Sequence, residues 1–400
     1  MKPRAFVVHR DPWHKGEHSM KIADRELQFA IPHDVFSTLR IDEGTILLLK
    51  HLPEAPPAKV LDLGCGYGAL GLPVAALHPK SRVKLVDRDL LAVEWARRNA
   101  VKNDLRGVEV VGSLGFDQIE DRDYDWILCN VPARIGKPFM VHLFKEGSRL
   151  LNRGGELRVV VIRDLVPVIR EISRETGMEL KECAVGPRHS VFSLSAPEEV
   201  NHALDEEVSG LYLRDMVQVS GIEFERPFDL GGDDPKRLKS SLPLLLDALP
   251  RQEIPDRILC IRSGYGILPV LFKIKWPDSS ILAFDRDLLG LKYGARNSER
   301  ILGEGMVKFA GGWFFPETIP VTAEFDLIVI EISSSSGMAV AAEELIAALA
   351  RTSKGGRVLG VCLDKVWREW IQPLIRREGL PARALASREG FTVFSAENRD

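Results

Sequence analysis

The chain repeats itself. Sliding residues 60–100 onto 258–298 needs no gap, at a constant offset of 198 (258 − 60), and pairs GYGAL with GYGIL and VDRDLLAVEWARRN with FDRDLLGLKYGARN. Downstream, with small shifts of offset, YDWILCN from Tyr124 meets FDLIVIE from Phe325, NRGGELRVVV meets SKGGRVLGVC, and RHSVFSLSA from Arg188 meets REGFTVFSA from Arg388. Upstream, LLLKHLP answers LLLDALP and LQFAIP answers IEFERP. The 400 residues are a tandem duplication of a unit of domain size, expected at residues 1–200 and 201–400. The polar segment from Pro197 to Ser209 is the expected linker.

Each unit alternates short apolar or β-branched runs with amphipathic stretches, the sequence form of a parallel sheet flanked by helices. In the first unit the pattern predicts strands at 59–63, 82–87, 108–112, 125–130 and 156–162, and helices near 69–78, 89–103, 138–151 and 164–176. Two further strands, 179–185 and 190–196, leave no room for a crossover helix, so they must form an antiparallel hairpin. The expectation is an α/β chain with two mostly parallel seven-stranded sheets, each ending in such a hairpin.

Glycines punctuate the first strand-to-helix turn, Asp62-Leu-Gly64-Cys65-Gly66-Tyr-Gly68. They let the chain turn sharply and let backbone N–H groups approach a ligand at a helix start. Asp87 ends the next strand, 21 residues after Gly66 (87 − 66), where a carboxylate accepts hydrogen bonds from ribose hydroxyls. Both dinucleotide enzymes and S-adenosylmethionine (SAM) enzymes use this geometry. The acidic Asp62 ahead of the glycines favours SAM, since a pyrophosphate would be repelled by that charge, and the terminal hairpin resembles the seven-stranded class I methyltransferase sheet. A dinucleotide reading of Gly64-x-Gly66-x-x-Ala69 stays open.

Bulk properties narrow the partners. Hydrophobic content of 45% and charged content of 28% are those of a soluble globular protein. A formal net charge of −3 argues against a strongly cationic nucleic-acid wrapper, although a local basic patch would be hidden in that sum. No apolar run is long enough to span a membrane, and MKPRAFVVHRDPWHKG has no signal-peptide core, so a cytoplasmic protein without membrane partners is expected. The five cysteines are odd in number and widely spaced; they read as buried reduced thiols, with no zinc site and no metal expected. His9, His14 and His18 with Trp13 lack a completing Cys or carboxylate and are expected in a solvated or partly packed tail. Lys2, Arg4, Arg10, Lys15 and Lys21, with Arg134 and Lys137, are either phosphate contacts or ordinary surface charge.

Three segments carry a resemblance: HDVFSTLRIDEGTILLL, LDLGCGYGALG and ILCNVPARIGKPF. Over residues 22–196 the first unit resembles the class I small methyltransferase domain family, which includes RsmC-like rRNA guanine methyltransferases and archaeal single-domain relatives. The resemblance implies SAM as cofactor, held by Asp62, Gly64, Cys65, Gly66, Gly68, Asp87, Arg88, Ser113, Leu114 and Asn130, and catalysis by Asn130 and Pro132. It also implies an RNA substrate, with a guanine amino group of rRNA as the acceptor. Such a nitrogen is a poor nucleophile because its lone pair is delocalised. An Asn oxygen and a neighbouring carbonyl that accept both N–H bonds favour the pyramidal form that attacks.

The chain departs from the family's Asn-Pro-Pro-aromatic pattern in two places. Val131 replaces the first proline and Ala133 replaces the ring that stacks on the target base, so either Phe139 or another ring substitutes or the acceptor is not a nucleobase. Leu114 stands where relatives place Asp or Asn against adenine. Methylation of a protein amide or small-molecule amine, and a non-catalytic SAM- or RNA-binding scaffold, stay open.

The second copy has decayed at its loop. Cys260 replaces Asp62, Arg262 replaces Gly64, Glu331 replaces Asn130 and Ser333 replaces Pro132. An arginine brings a Cβ and a long side chain into space that ligand and backbone should share. Asp285 survives and is expected to cap the following helix rather than to mark a working site. The second unit is expected to be a folded pseudo-domain.

Overall fold

The computed structural model describes residues 11–37, 39–195, 210–228, 240–250 and 253–398. The expected linker, His9 and the basic residues Lys2, Arg4 and Arg10 lie outside the described residues.

The first unit opens with β1 (His14–Ile22), β2 (Arg25–Pro32) and helix α1 (Glu43–Leu49). It continues through β3 (Lys59–Leu63), α2 (Gly71–Leu77), β4 (Arg82–Asp87), α3 (Leu90–Lys102), β5 (Val108–Gly112) and β6 (Tyr124–Asn130). It closes with α4 (Lys137–Leu150), β7 (Leu151–Ile162), α5 (Val166–Thr176), β8 (Glu179–Val185) and β9 (His189–Ser195). The sheet order is β5-β4-β3-β6-β7-β9-β8; the first five strands are parallel and β9 runs against both neighbours. The expected terminal hairpin is therefore present.

Both faces of the central strands are covered, which is why they read as nearly continuous apolar runs. Successive side chains on a strand point to opposite faces, and Val60 and Leu61 accordingly sink into two different cores, each with zero exposure. Asp89 starts α3 as its N-cap, its carboxylate accepting from the Leu91 N–H at 3.0 Å.

The second unit repeats the plan: β10 (Leu213–Val219), β11 (Ile222–Pro227), α6 (Leu242–Asp247), β12 (Arg257–Ile261), α7 (Ile267–Lys275), β13 (Ser280–Asp285) and α8 (Leu288–Leu302). There follow β14 (Lys308–Gly311), α9 (Phe315–Thr318), β15 (Phe325–Glu331), α10 (Met338–Leu349), β16 (Thr352–Leu363), β17 (Ala382–Arg388) and β18 (Phe391–Glu397). Its sheet order, β14-β13-β12-β15-β16-β18-β17, is the first order translated along the chain.

Two expectations are corrected. The segment around Trp13, His14 and His18 is not a tail but the start of the β1–β2 hairpin, and Trp13 is 1% exposed. The cap of α8 is Asp287, not Asp285: Asp287 accepts from Leu289, while Asp285 accepts from the N–H groups of Gly264, Arg286 and Asp287.

The units join through equivalent residues. The Leu90 N–H donates to the Arg286 carbonyl at 3.0 Å and the Leu288 N–H donates to the Arg88 carbonyl at 3.1 Å, with Asp89 and Asp287 paired between them. These positions are related by the repeat offset of 198 (286 − 88), so the contact is self-complementary, as in a two-fold dimer. The hairpins reach across reciprocally: Trp13 packs edge-on against Phe314 with centroids 5.6 Å apart, and Tyr212 packs against Phe139 at 5.4 Å.

Candidate active site

In an open α/β sheet a ligand settles outside the carboxyl ends of the strands, where the strand order reverses direction. Here that place lies between β3 and β6, and a cavity of about 580 Å³ opens there. Its lining includes the turns after β3, β4, β5 and β6, the loop between β2 and α1, Ile162 and His189 at the ends of β7 and β9, and Tyr212 of the second unit.

The turn after β3 is a glycine structure by necessity. Gly64, Gly66 and Gly68 have φ of 77°, 55° and 95°, and a Cβ on Gly68 would lie 2.6 Å from Leu72. The Asp87 carboxylate at the end of β4 holds the turn, accepting from the Gly66 N–H at 2.8 Å and from the Asp89 N–H at 2.9 Å. Each oxygen keeps a lone pair for a ligand hydroxyl. Burial raises the Asp87 carboxyl above its usual range, against the pull of those two N–H groups.

Asp62 sits elsewhere than expected. It is fully buried and is not among the residues lining the cavity; its Oδ2 accepts from the Gly71 N–H at 2.7 Å while Oδ1 has no partner. Its carboxylate therefore fixes the start of α2 and the back of the glycine turn instead of facing a ligand's ammonium group. Burial pushes it up to about 7, offset in part by the Gly71 N–H and reinforced by the charge of Asp87.

The other expected residues converge on the cavity: Gly64, Cys65, Gly66, Asp87, Arg88, Ser113, Leu114, Asn130 and Pro132 all line it, whereas Gly68 shapes the turn from behind. Leu114 is 5% exposed and offers only an apolar surface. The Ser113 hydroxyl is engaged, donating to the Gly115 carbonyl at 2.9 Å and accepting from the Gln118 N–H at 3.1 Å. Burial pushes the Cys65 and Cys129 thiols up, which leaves them neutral and poor nucleophiles.

Asn130, at the end of β6, has one orientation. Its amide nitrogen donates to Asp42 Oδ2 at 2.9 Å and to Thr45 Oγ1 at 3.0 Å, so both N–H bonds are spent and its carbonyl oxygen is left to accept. Asp42 is itself held as the N-cap of α1, accepting from the Thr45 N–H at 3.1 Å. Sequence reasoning missed Asp42 and Thr45 although they lie in the quoted segment RIDEGT; the available signal was an Asp three residues before a Thr at a helix start. It also missed Tyr212, which comes from the other copy and could not be found by local pattern.

Phe139 is not a free ring. It is 5% exposed and packed between Tyr212 and His142. Arg134 is exposed at the cavity rim, whereas Lys137 is taken up by Glu171 and Glu175 at 2.9 and 2.8 Å. Among the described residues, no group of His, Cys, Asp and Glu is arranged to hold a metal ion.

The corresponding crevice of the second unit is crossed by a side chain. Arg262 adopts φ of 59°, a left-handed conformation at the position of Gly64. Its guanidinium donates to the Glu331 carbonyl at 2.8 Å and to both oxygens of Glu344 at 2.8 and 3.0 Å, tying the ends of β12 and β15 to α10.

Residues 26–177 match the family model described as Methyltransferase small domain. The match lies within the first unit and runs from β2 to the end of α5. The chain is similar to Ribosomal RNA small subunit methyltransferase C of Pseudomonas putida, with 39% identity over 150 residues that cover 36% of this chain and 44% of that protein. It is also similar to Ribosomal RNA large subunit methyltransferase G of Vibrio campbellii, with 33% identity over 139 residues, 33% of this chain and 36% of that protein. The chain spans less than half the length of these curated relatives in its match. Among solved structures, the T. thermophilus 16S rRNA guanine-N2 methyltransferase RsmC, in complex with AdoMet and guanosine, superposes with a TM-score of 0.67 over 97% of this chain and 99% of that one, at 19% identity. That likeness shows the fold: two Rossmann-like α/β units in tandem. No helix of the described residues is long and apolar enough to cross a membrane.

Proposed function

We propose that the chain is a cytoplasmic SAM-dependent N-methyltransferase that modifies an exocyclic amino group of guanine in rRNA, with the small domain as its working unit and the second unit as a non-catalytic partner. The observation that carries this reading is the locked amide of Asn130, whose free carbonyl oxygen faces the task of holding an N–H donor.

The residues fit SAM. The cavity is long enough to run from the glycine turn past Asp87 to Ser113 and Leu114, and Asp87 keeps unused lone pairs where ribose hydroxyls would come. Ser113 and Leu114 would flank the base, and the turn from Gly64 to Gly66 would meet the amino-acid end. When bound, SAM supplies an electrophilic methyl group. Asn130 Oδ1 accepts one N–H of the acceptor, and a backbone carbonyl of Val131 or Pro132 accepts the other. The nitrogen is thereby held pyramidal with its lone pair aimed inward, which lowers the barrier by positioning rather than by removing a proton first. The proton is lost afterwards to water at the exposed Pro132–Arg134 rim. The named activities of the relatives, on small- and large-subunit ribosomal RNA, support an RNA acceptor.

Ala133 favours a second reading, in which the acceptor is a protein amide or a small-molecule amine, because it offers no ring to a base. Incubating the protein with methyl-labelled SAM and a hypomethylated extract, then fractionating RNA, protein and metabolites, separates the two. Label in RNA, recovered as a methylated guanine, is the expected result. Label in protein or metabolites supports the second reading, and SAM binding without any transfer supports a scaffold.

A further inference from the structure

The family's base-stacking ring is missing at Ala133, yet four six-membered rings line the cavity: Phe36, Tyr67, Phe139 and Tyr212. Three of them are committed elsewhere. Tyr67 is 2% exposed and packed against Phe29, while Phe139 and Tyr212, 5% and 2% exposed, pack against each other. Phe36 is 71% exposed. It belongs to the loop between β2 and α1, six residues before Asp42, the carboxylate that orients Asn130 (42 − 36).

The loop is presented rather than loose. Asp34 and Ser37, on either side of Phe36, both take left-handed backbone conformations, with φ of 61° and 63°. Such conformations cost energy in residues other than glycine and persist where the surroundings hold them. At one end the Tyr67 hydroxyl donates to the Ser37 carbonyl at 3.5 Å. At the other, Arg286 of the second unit donates to the Asp34 carbonyl at 2.7 Å and pairs with its carboxylate at 3.1 Å. An exposed aromatic ring lining the same cavity as Asn130, on a loop held at Asp34 and Ser37, has the placement of a stacking platform.

We propose that Phe36 is the ring that stacks on the acceptor base, replacing the aromatic side chain lost at Ala133, and that Arg286 gives the second unit a part in positioning it. This deepens the reading of the site as a nucleobase N-methyltransferase and rests on it. The side chain is mostly in solvent, so its substitution leaves folding intact. The test compares wild type with Phe36→Ala, Phe36→Leu and Phe36→Tyr on an RNA that the wild-type protein labels, with SAM affinity measured by calorimetry in parallel. Loss of the π face in the Ala and Leu variants lowers kcat/KM for RNA by about ten- to a hundredfold, the scale of one base–aromatic stack, with SAM affinity unchanged. The Tyr variant keeps the ring and retains most of the activity. An Ala variant as active as wild type, or a Leu variant as active as the Tyr variant, overturns the stacking role while leaving the methyltransferase reading in place. A wild-type protein that labels no RNA overturns the nucleobase reading, and the stacking role with it.

Discussion

At the scale of single residues, the site is built from groups that orient one another. Asn130 would be ambiguous alone, because its amide can turn either end to a ligand; Asp42 can only accept, so it selects the nitrogen and leaves the oxygen free. Asp62 works from behind in the same way, through Gly71. Its raised carboxyl gives a prediction with a definite sign. The unfolded group titrates near 3.8 and the folded one near 7, so the native state binds the extra proton between them. Asp62 therefore favours the fold most at acid pH, and that contribution is lost as pH rises toward about 7. Asp62→Asn cannot ionise and can still accept from Gly71. Its melting temperature relative to wild type should climb between roughly pH 5 and pH 7.5. A difference that stays constant with pH would show that Asp62 does not titrate in this window.

At the scale of elements, the alternation of apolar runs and amphipathic stretches makes the whole central sheet legible, and the expected strands 59–63, 82–87, 108–112 and 179–185 coincide with β3, β4, β5 and β8. The β1–β2 hairpin was not legible. Its exposed and half-buried residues alternate along HKGEHSMKI, mostly polar or charged, so nothing marks a strand. The element is defined by what it meets in space, with Asn99 of α3 and Asn103 at its C-cap bonding the backbone of Ala30 and Gln28. Decay of the second unit shows paired change between elements. Glu344 on α10 stands where the first unit has the fully buried Leu143 (331 − 130 = 201 = 344 − 143), and it answers Arg262 in place of Gly64. Burial raises the Glu344 carboxyl while Arg262 lowers it. Arg262→Gly alone should cost about 3 kcal/mol by stranding that buried carboxylate. Adding Glu344→Leu should recover most of the loss, as read by urea denaturation. If the double variant is as unstable as the sum of the singles, the two residues are not a coupled pair.

At the scale of the whole molecule, the proposed function makes the duplication a division of labour. The self-complementary contact at residues 88–90 and 286–288 keeps the two-fold logic of a dimer, while Arg262 crosses the crevice of the second unit. The second unit reaches the crevice of the first twice, through Tyr212 in the cavity wall and through Arg286 at the base of the Phe36 loop. The site residues at the strand ends could be read from motifs; these cross-unit contacts could not, because they join positions remote in sequence and depend on how the copies dock. A molecule so arranged should titrate with one equivalent of SAM per chain. The most direct test of the account compares Asn130→Ala with Asp87→Ala on one identified RNA, with folding checked by thermal denaturation. On the proposed reading Asp87 would hold the ribose equally in ground and transition states, so Asp87→Ala should weaken SAM binding by about 1.5 to 3 kcal/mol and recover turnover at saturating SAM. Asn130→Ala should leave SAM affinity nearly unchanged and lower kcat on the order of a hundredfold or more. An Asn130→Ala protein that methylates at the wild-type rate would contradict the account, because the locked amide would then have no part in holding the acceptor nitrogen.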